Sequence, residues 1–94
     1  MRIVWTPQAQ QDRADIWDFI ATDNPNAAAW LDQLFSTAAE SLSDFPMRGR
    51  SGQISGTREL IPHESYRLVY EVDGEMVWVL AIVHTARQWP LIRD

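Results

Sequence analysis

Hydrophobic and polar positions change period along the chain, and the periods set the expected elements. Arg2 to Trp5 is a short apolar run with two β-branched residues, which predicts a strand. Thr6-Pro7 predicts a helix start, with threonine as cap and proline at the first helical position, where its missing N–H costs nothing. That helix is expected from Pro7 to about Ala21, with Ala9, Ile16, Trp17, Phe19 and Ile20 on its apolar side. Asn24-Pro25 repeats the device after a very short connection, so a second helix follows at once. Its apolar positions Ala27, Leu31, Leu34, Ala38, Leu42 and Phe45 are spaced 4, 3, 4, 4 and 3, close to a one-sided helical repeat. Phe45-Pro46 closes it, because proline disfavours helical backbone in the residue before it.

After the helices the period drops to two. Met47 to Gly56 contains Gly49, Gly52 and Gly56 with Arg48 and Arg50, which predicts a loop carrying cations. Thr57 to Pro62 predicts a strand with Arg58 and Leu60 on one face and Glu59 and Ile61 on the other. Tyr66 to Val83 predicts a hairpin around Asp73-Gly74. Its first strand sets Tyr66, Leu68, Tyr70 and Val72 against Arg67, Val69 and Glu71, a core face and a partly wet one. Its second strand is apolar on both faces, as in a central strand covered on both sides. The order predicts an α+β domain over residues 1–94: an N-terminal strand, a two-helix antiparallel hairpin, then a three-stranded antiparallel sheet. The helices should cover one sheet face, and the other face should bind a partner.

Composition narrows the classes. Ninety-four residues support one modest core. The absence of cysteine excludes a disulfide scaffold and a thiolate metal site. No stretch approaches the ~20 apolar residues of a membrane helix, so the chain is expected to be cytoplasmic. All eight basic residues are arginine, whose planar guanidinium suits bidentate pairing. The net charge of −5 repels a polyanion at long range. With no lysine-ended glycine loop, no His-x-x-x-His pair and no carboxylate-rich loop, neither a metal nor a cofactor is expected.

His63 and His84 are the two imidazoles, and with arginine nearby a histidine pair can cleave RNA by general acid–base transfer. The bland alternative is a turn residue and a hydrogen-bonded strand end. The arginines pair locally, Arg58 with Glu71 or Arg67 with Glu59, or else receive an acidic partner. Of the five tryptophans, Trp17, Trp30 and Trp78 are expected in core or groove, and Trp89 at the tail or in an interface.

Trp5-Thr6-Pro7-Gln8-Ala9, Asn24-Pro25-x-Ala27-Ala28, Phe45-Pro46 with Gly49-Arg50, Gly56-Thr57-Arg58-Glu59-Leu60, Tyr66-Arg67-Leu68-Val69-Tyr70 and Val83-His84-x-x-Arg87-Gln88-Trp89-Pro90 occur in series. That series resembles the RelE/ParE superfamily of bacterial type II toxins over nearly the full length. The resemblance implies the same helical hairpin and sheet, and a toxin neutralised by a cognate antitoxin in a hetero-oligomer. The RelE-like branch cleaves messenger RNA in the ribosomal A site, whereas the ParE-like branch is associated with inhibition of DNA gyrase. The lack of lysine, the net acidity and the Gly-Thr-Arg-Glu-Leu and Arg-Gln-Trp-Pro segments are closer in style to the ParE-like branch. The expectation is therefore a gyrase inhibitor rather than an enzyme, acting in growth arrest and plasmid stabilisation. Its partner-binding residues would be Arg58, Arg67 and Arg87 with Tyr66, Tyr70, Trp78 and Trp89. The alternatives are a ribosome-dependent endoribonuclease using His63, His84 and Arg87, and an inactive interaction domain of the same fold.

Overall fold

The computed structural model describes residues 1–85, with elements β1 (Arg2–Trp5), α1 (Pro7–Ala21), α2 (Pro25–Ser41), β2 (Arg50–Ser51), β3 (Thr57–His63), β4 (Tyr66–Asp73) and β5 (Met76–His84). Both helices begin at the predicted caps. Thr6 Oγ1 accepts the Ala9 N–H at 3.2 Å, and Asn24 Oδ1 accepts the Ala27 N–H at 3.1 Å. Each satisfies a donor that the first helical turn leaves open. Across the helical hairpin, Arg13 forks onto Asp32 with Nε–Oδ1 at 2.7 Å and Nη2–Oδ2 at 3.0 Å, while its guanidinium lies 4.7 Å from the Trp5 ring centre.

The sheet runs β1-β5-β4-β3-β2, with β1 parallel to β5 and every other neighbour antiparallel. The order of elements agrees with the pattern, and the strand number exceeds it by one. The addition is β2, two residues paired with Arg58 and Glu59 inside the stretch that reads as a loop. Two residues between glycines carry no alternation to detect.

Helix α2 has the expected period and a different phase. Ala28, Leu31, Phe35 and Ala39 are buried within it and Leu42 just beyond it, whereas Ala27, Leu34 and Ala38 are half-buried. One residue of shift is about 100° of rotation, and it turns the bulky Phe35 inward. The helix stops at Ser41, so Phe45 stands outside it, 66% exposed. Trp17, Phe19 and Trp30, expected on apolar faces, are instead exposed. Small alanines on the inner faces let the hairpin sit close to the sheet, with Phe35 buried between them, while Trp17, Phe19 and Trp30 are left to the outer side.

Tyr66, Leu68, Tyr70 and Val72 face the helices, opposite His84, Ile82, Val79 and Val77 of β5. That pairing needs an extra residue in β5: the register shifts between Val69 and Tyr70, and Leu80 has no partner in β4. Odd positions before the bulge and even positions after it therefore share the core face. Helix α1 satisfies the irregular backbone. Thr6 Oγ1 donates to Leu80 O at 3.2 Å, and Asp12 Oδ2 accepts the Ile82 N–H at 3.0 Å. The β4–β5 turn is Gly74-Glu75, one residue later than Asp73-Gly74, with Gly74 at φ +60. Glycine at the first central position is what a two-residue type II′ turn requires.

Candidate functional site

The two histidines fall in one row with Tyr66. His63 closes β3 opposite Tyr66, which is in turn opposite His84 at the end of β5. Ring centres lie 6.2 Å apart for His63–Tyr66 and 5.5 Å for Tyr66–His84. Phe35 meets Tyr66 edge-on at 5.6 Å, and Trp30 meets His63 at 5.9 Å. His63 Nδ1 accepts the Ser65 N–H at 3.0 Å, which puts the proton of the neutral imidazole on Nε2. The turn is latched further by Thr85, whose N–H donates to Ser65 O at 2.8 Å and whose hydroxyl donates to Glu64 O at 2.9 Å. Tyr66 separates the imidazoles, so a phosphodiester served by both would lie over its ring. Each nitrogen would need to come within ~2.6–3.2 Å of its own oxygen.

Arg58 and Arg67 do not share one hollow. Arg58 pairs opposite Tyr70 on the helix side, where its Nη1 donates to Gly49 O at 2.7 Å and Met47 O at 3.4 Å. Arg67 points to the opposite face, only 6% exposed, with Nη1 3.7 Å from Glu59 Oε1. Glu59 also receives Arg50 at 3.5 Å, so one buried carboxylate gathers two guanidinium groups. Of the aromatic set expected around them, Tyr70 is fully buried, Tyr66 is half-buried, and Trp78 is half-buried on the face away from the helices. Arg87 and Trp89 lie outside the described residues. The expected front surface is thus divided by the sheet: strand register sends Arg58 and Arg67 to opposite sides.

Tyr70 instead acts as a latch for the chain after α2. Its hydroxyl donates to Pro46 O at 2.7 Å and accepts the Gly49 N–H at 2.9 Å. Burial pushes its phenol above the ordinary value of 10.0, against smaller opposing effects of the Gly49 N–H and the Arg58 charge. Gly49 is required by closeness: a Cβ there would lie 2.7 Å from Tyr70 Oη and 2.8 Å from Glu59 O. The latch holds Phe45 and Met47 outward, 66% and 62% exposed. They line an open hollow of about 540 Å³ with Pro46 and Arg48. Met47 also borders a second hollow of about 440 Å³, whose walls include Ile54, Thr57, Arg58 and Val72. Among the described residues, no cluster of three or more carboxylate or imidazole groups could hold a metal ion.

The family model described as the ParE toxin of the type II toxin-antitoxin system, parDE, matches residues 3–89. The chain belongs to the ParE toxin family. Among its relatives, Y4kP of Sinorhizobium fredii is 35% identical to the toxin over 92 residues, covering 97% of this chain and 95% of that one. Toxin RelE2 of Caulobacter vibrioides is 36% identical over 86 residues, covering 92% and 97%. In fold, the toxin resembles the chromosomal ParDE system from P. aeruginosa, with a TM-score of 0.81 at 23% identity over 89% of this chain and 95% of that one.

Two structural features of this region were not legible in the sequence. The Phe45–Met47 surface hides because Phe45 completes the apparent stripe of α2. Its signal is Pro46, which ends the helix and detaches Phe45 from it. Tyr70 is expected among the partner-binding aromatics, and only its two hydrogen bonds mark it as the support of the loop.

Proposed function

We propose that this toxin is held by a cognate antitoxin and, when released, arrests growth in the cytoplasm by inhibiting DNA gyrase through protein–protein contact. The observation that carries this reading is the engagement of its guanidinium groups by its own chain. Arg58 is directed to the carbonyls of Gly49 and Met47, and Arg50 and Arg67 to Glu59. Tight ribosome and messenger RNA binding draws on arginine and lysine presented together to phosphates. Here three of them are already engaged by acceptors of the same chain, on a molecule of net charge −5. What is presented outward includes Phe45, Met47 and Ile54, side chains suited to a protein surface.

The test is supercoiling of relaxed plasmid by purified gyrase with increasing toxin, then again with antitoxin added. Inhibition that antitoxin reverses is the expected result; full supercoiling at saturating toxin refutes the target. A second reading, ribosome-dependent messenger RNA cleavage, is favoured by the His63–Tyr66–His84 row. It predicts cut transcripts on translating ribosomes that disappear in His84→Ala.

A further inference from the structure

Exposed apolar side chains and unbalanced charge coincide at two places on this toxin. Residues 45–58 hold Arg48, Arg50 and Arg58 and no carboxylate, a charge of +3, with Phe45, Met47 and Ile54 exposed. Residues 15–23 hold Asp15, Asp18 and Asp23 and no basic residue, a charge of −3, with Trp17 and Phe19 exposed. Asp15 stands one helical turn before Phe19, so the two lie on one stripe of α1. Phe19 is 77% exposed, the most of any large apolar side chain among the described residues. Arg48 lines the Phe45–Met47 hollow, and neither it nor Asp15, Asp18 or Asp23 makes an ion pair among the described residues. The two surfaces cannot meet within one molecule. Residues 15–23 precede α2 and residues 45–58 follow it, and its 17 residues set them about 26 Å apart at a rise of ~1.5 Å per residue.

We infer that the two surfaces meet between copies of this chain: Phe19 of one copy enters the Phe45–Met47 hollow of another, and Asp15 beside it faces Arg48. Each surface supplies what the other lacks, a ring for a hollow and carboxylates for guanidinium groups. The net charge of −5 opposes association of like molecules, but distance decides between the two effects. Centres of touching copies stand about the shortest extent of the molecule apart, 23 Å, or more. That is over two Debye lengths of about 10 Å at 0.1 M salt, so the general repulsion is largely screened while pairs in contact keep their attraction. Both surfaces are held in place beforehand, one by the Tyr70 latch and the Arg58 bonds, the other by the helix, which lowers the entropic cost of contact. The contact covers Phe45 and Met47, so concentrated free toxin withholds that surface from other proteins. This self-association does not depend on the target proposed above.

The experiment is sedimentation velocity of the full chain alone, at rising concentration in low and high salt. The parent is expected to associate, and at least tenfold more weakly in high salt. Arg48→Glu and Asp15→Arg should each weaken association at least tenfold. An equal mixture of the two should associate again, because each variant keeps the surface that the other has lost. Phe19→Ser should weaken association at least tenfold with every charge in place. Arg48, Asp15 and Phe19 are exposed, so melting midpoints should match the parent, and Phe19→Ser replaces Asp15→Arg in the mixture should that variant unfold. A parent that stays monomeric up to its solubility limit overturns the inference. So does parental association in either charge variant, or a mixture that stays as monomeric as its components, since a contact between like surfaces would not be rescued by mixing.

Discussion

Tyr70→Phe removes one oxygen and both hydrogen bonds that hold the chain after α2. The two partners fare differently. Gly49 is buried, so its N–H is left without an acceptor, which costs roughly 1–3 kcal/mol. Pro46 is half-buried, so its carbonyl can take water and adds little. A loss of about 2 kcal/mol follows, or roughly 8–16 °C in melting temperature for a domain of this size. The pH dependence gives an independent check of sign. Burial raises the folded phenol above 10.0, so its contribution is complete below that value. As pH climbs past it, the unfolded chain ionises first and the parent loses stability, up to ~1.4 kcal/mol per pH unit, until the folded phenol ionises too. The phenylalanine variant lacks this loss, so the gap between the two proteins should narrow between pH 8 and pH 11. Circular dichroism melts of both proteins across that range make the measurement. A variant within about 2 °C of the parent at neutral pH would refute the latch, and a gap of constant width would refute the buried neutral phenol.

Gly49→Ala drives a methyl group into the Tyr70 hydroxyl and the Glu59 carbonyl, and should cost about 1–3 kcal/mol in urea unfolding. Since the clash involves the Tyr70 oxygen, the cost should shrink when Gly49→Ala is combined with Tyr70→Phe. Thr6→Ala loses both a helix cap and the bond to the bulge carbonyl, about 1–2 kcal/mol together. Thr6→Asp should recover only the capping part, because a carboxylate accepts but cannot donate to Leu80 O. Arg13→Ala removes the fork to Asp32 and the contact with Trp5, and should cost about 1 kcal/mol, falling in 1 M salt as the ion-pair part is screened. Unchanged unfolding midpoints would show that the hairpin is held by apolar packing alone.

Local chemistry was readable wherever a single residue type decides a local event. Thr6-Pro7 and Asn24-Pro25 begin the helices because short polar acceptors and a missing N–H act over three or four residues. Events set by register were not readable. Arg58 and Arg67 are both on outwardly polar strands, and their separation follows from Arg58 pairing with Tyr70 and Leu60 with Leu68, a long-range fact. The bulge at Leu80 hides for the opposite reason: β5 is apolar at every position from Met76 to Val83, so a slip of phase leaves no mark in its pattern. His63 and His84 stand 21 residues apart in sequence, and only the pairing of both strands to Tyr66 brings them into one row.

The parallel ladder between β1 and β5 joins Arg2–Trp5 to Met76–Val79, the first described strand to the last. The helical hairpin and the β3-β4-β5 meander are contiguous stretches that can pre-organise as they emerge, but Trp5 and α1 have no floor to rest on before β5 exists. A translating ribosome therefore carries this chain as an unfinished object until Met76–Val79 has emerged. Premature termination anywhere before Met76 yields a fragment whose opening strand has nothing to join.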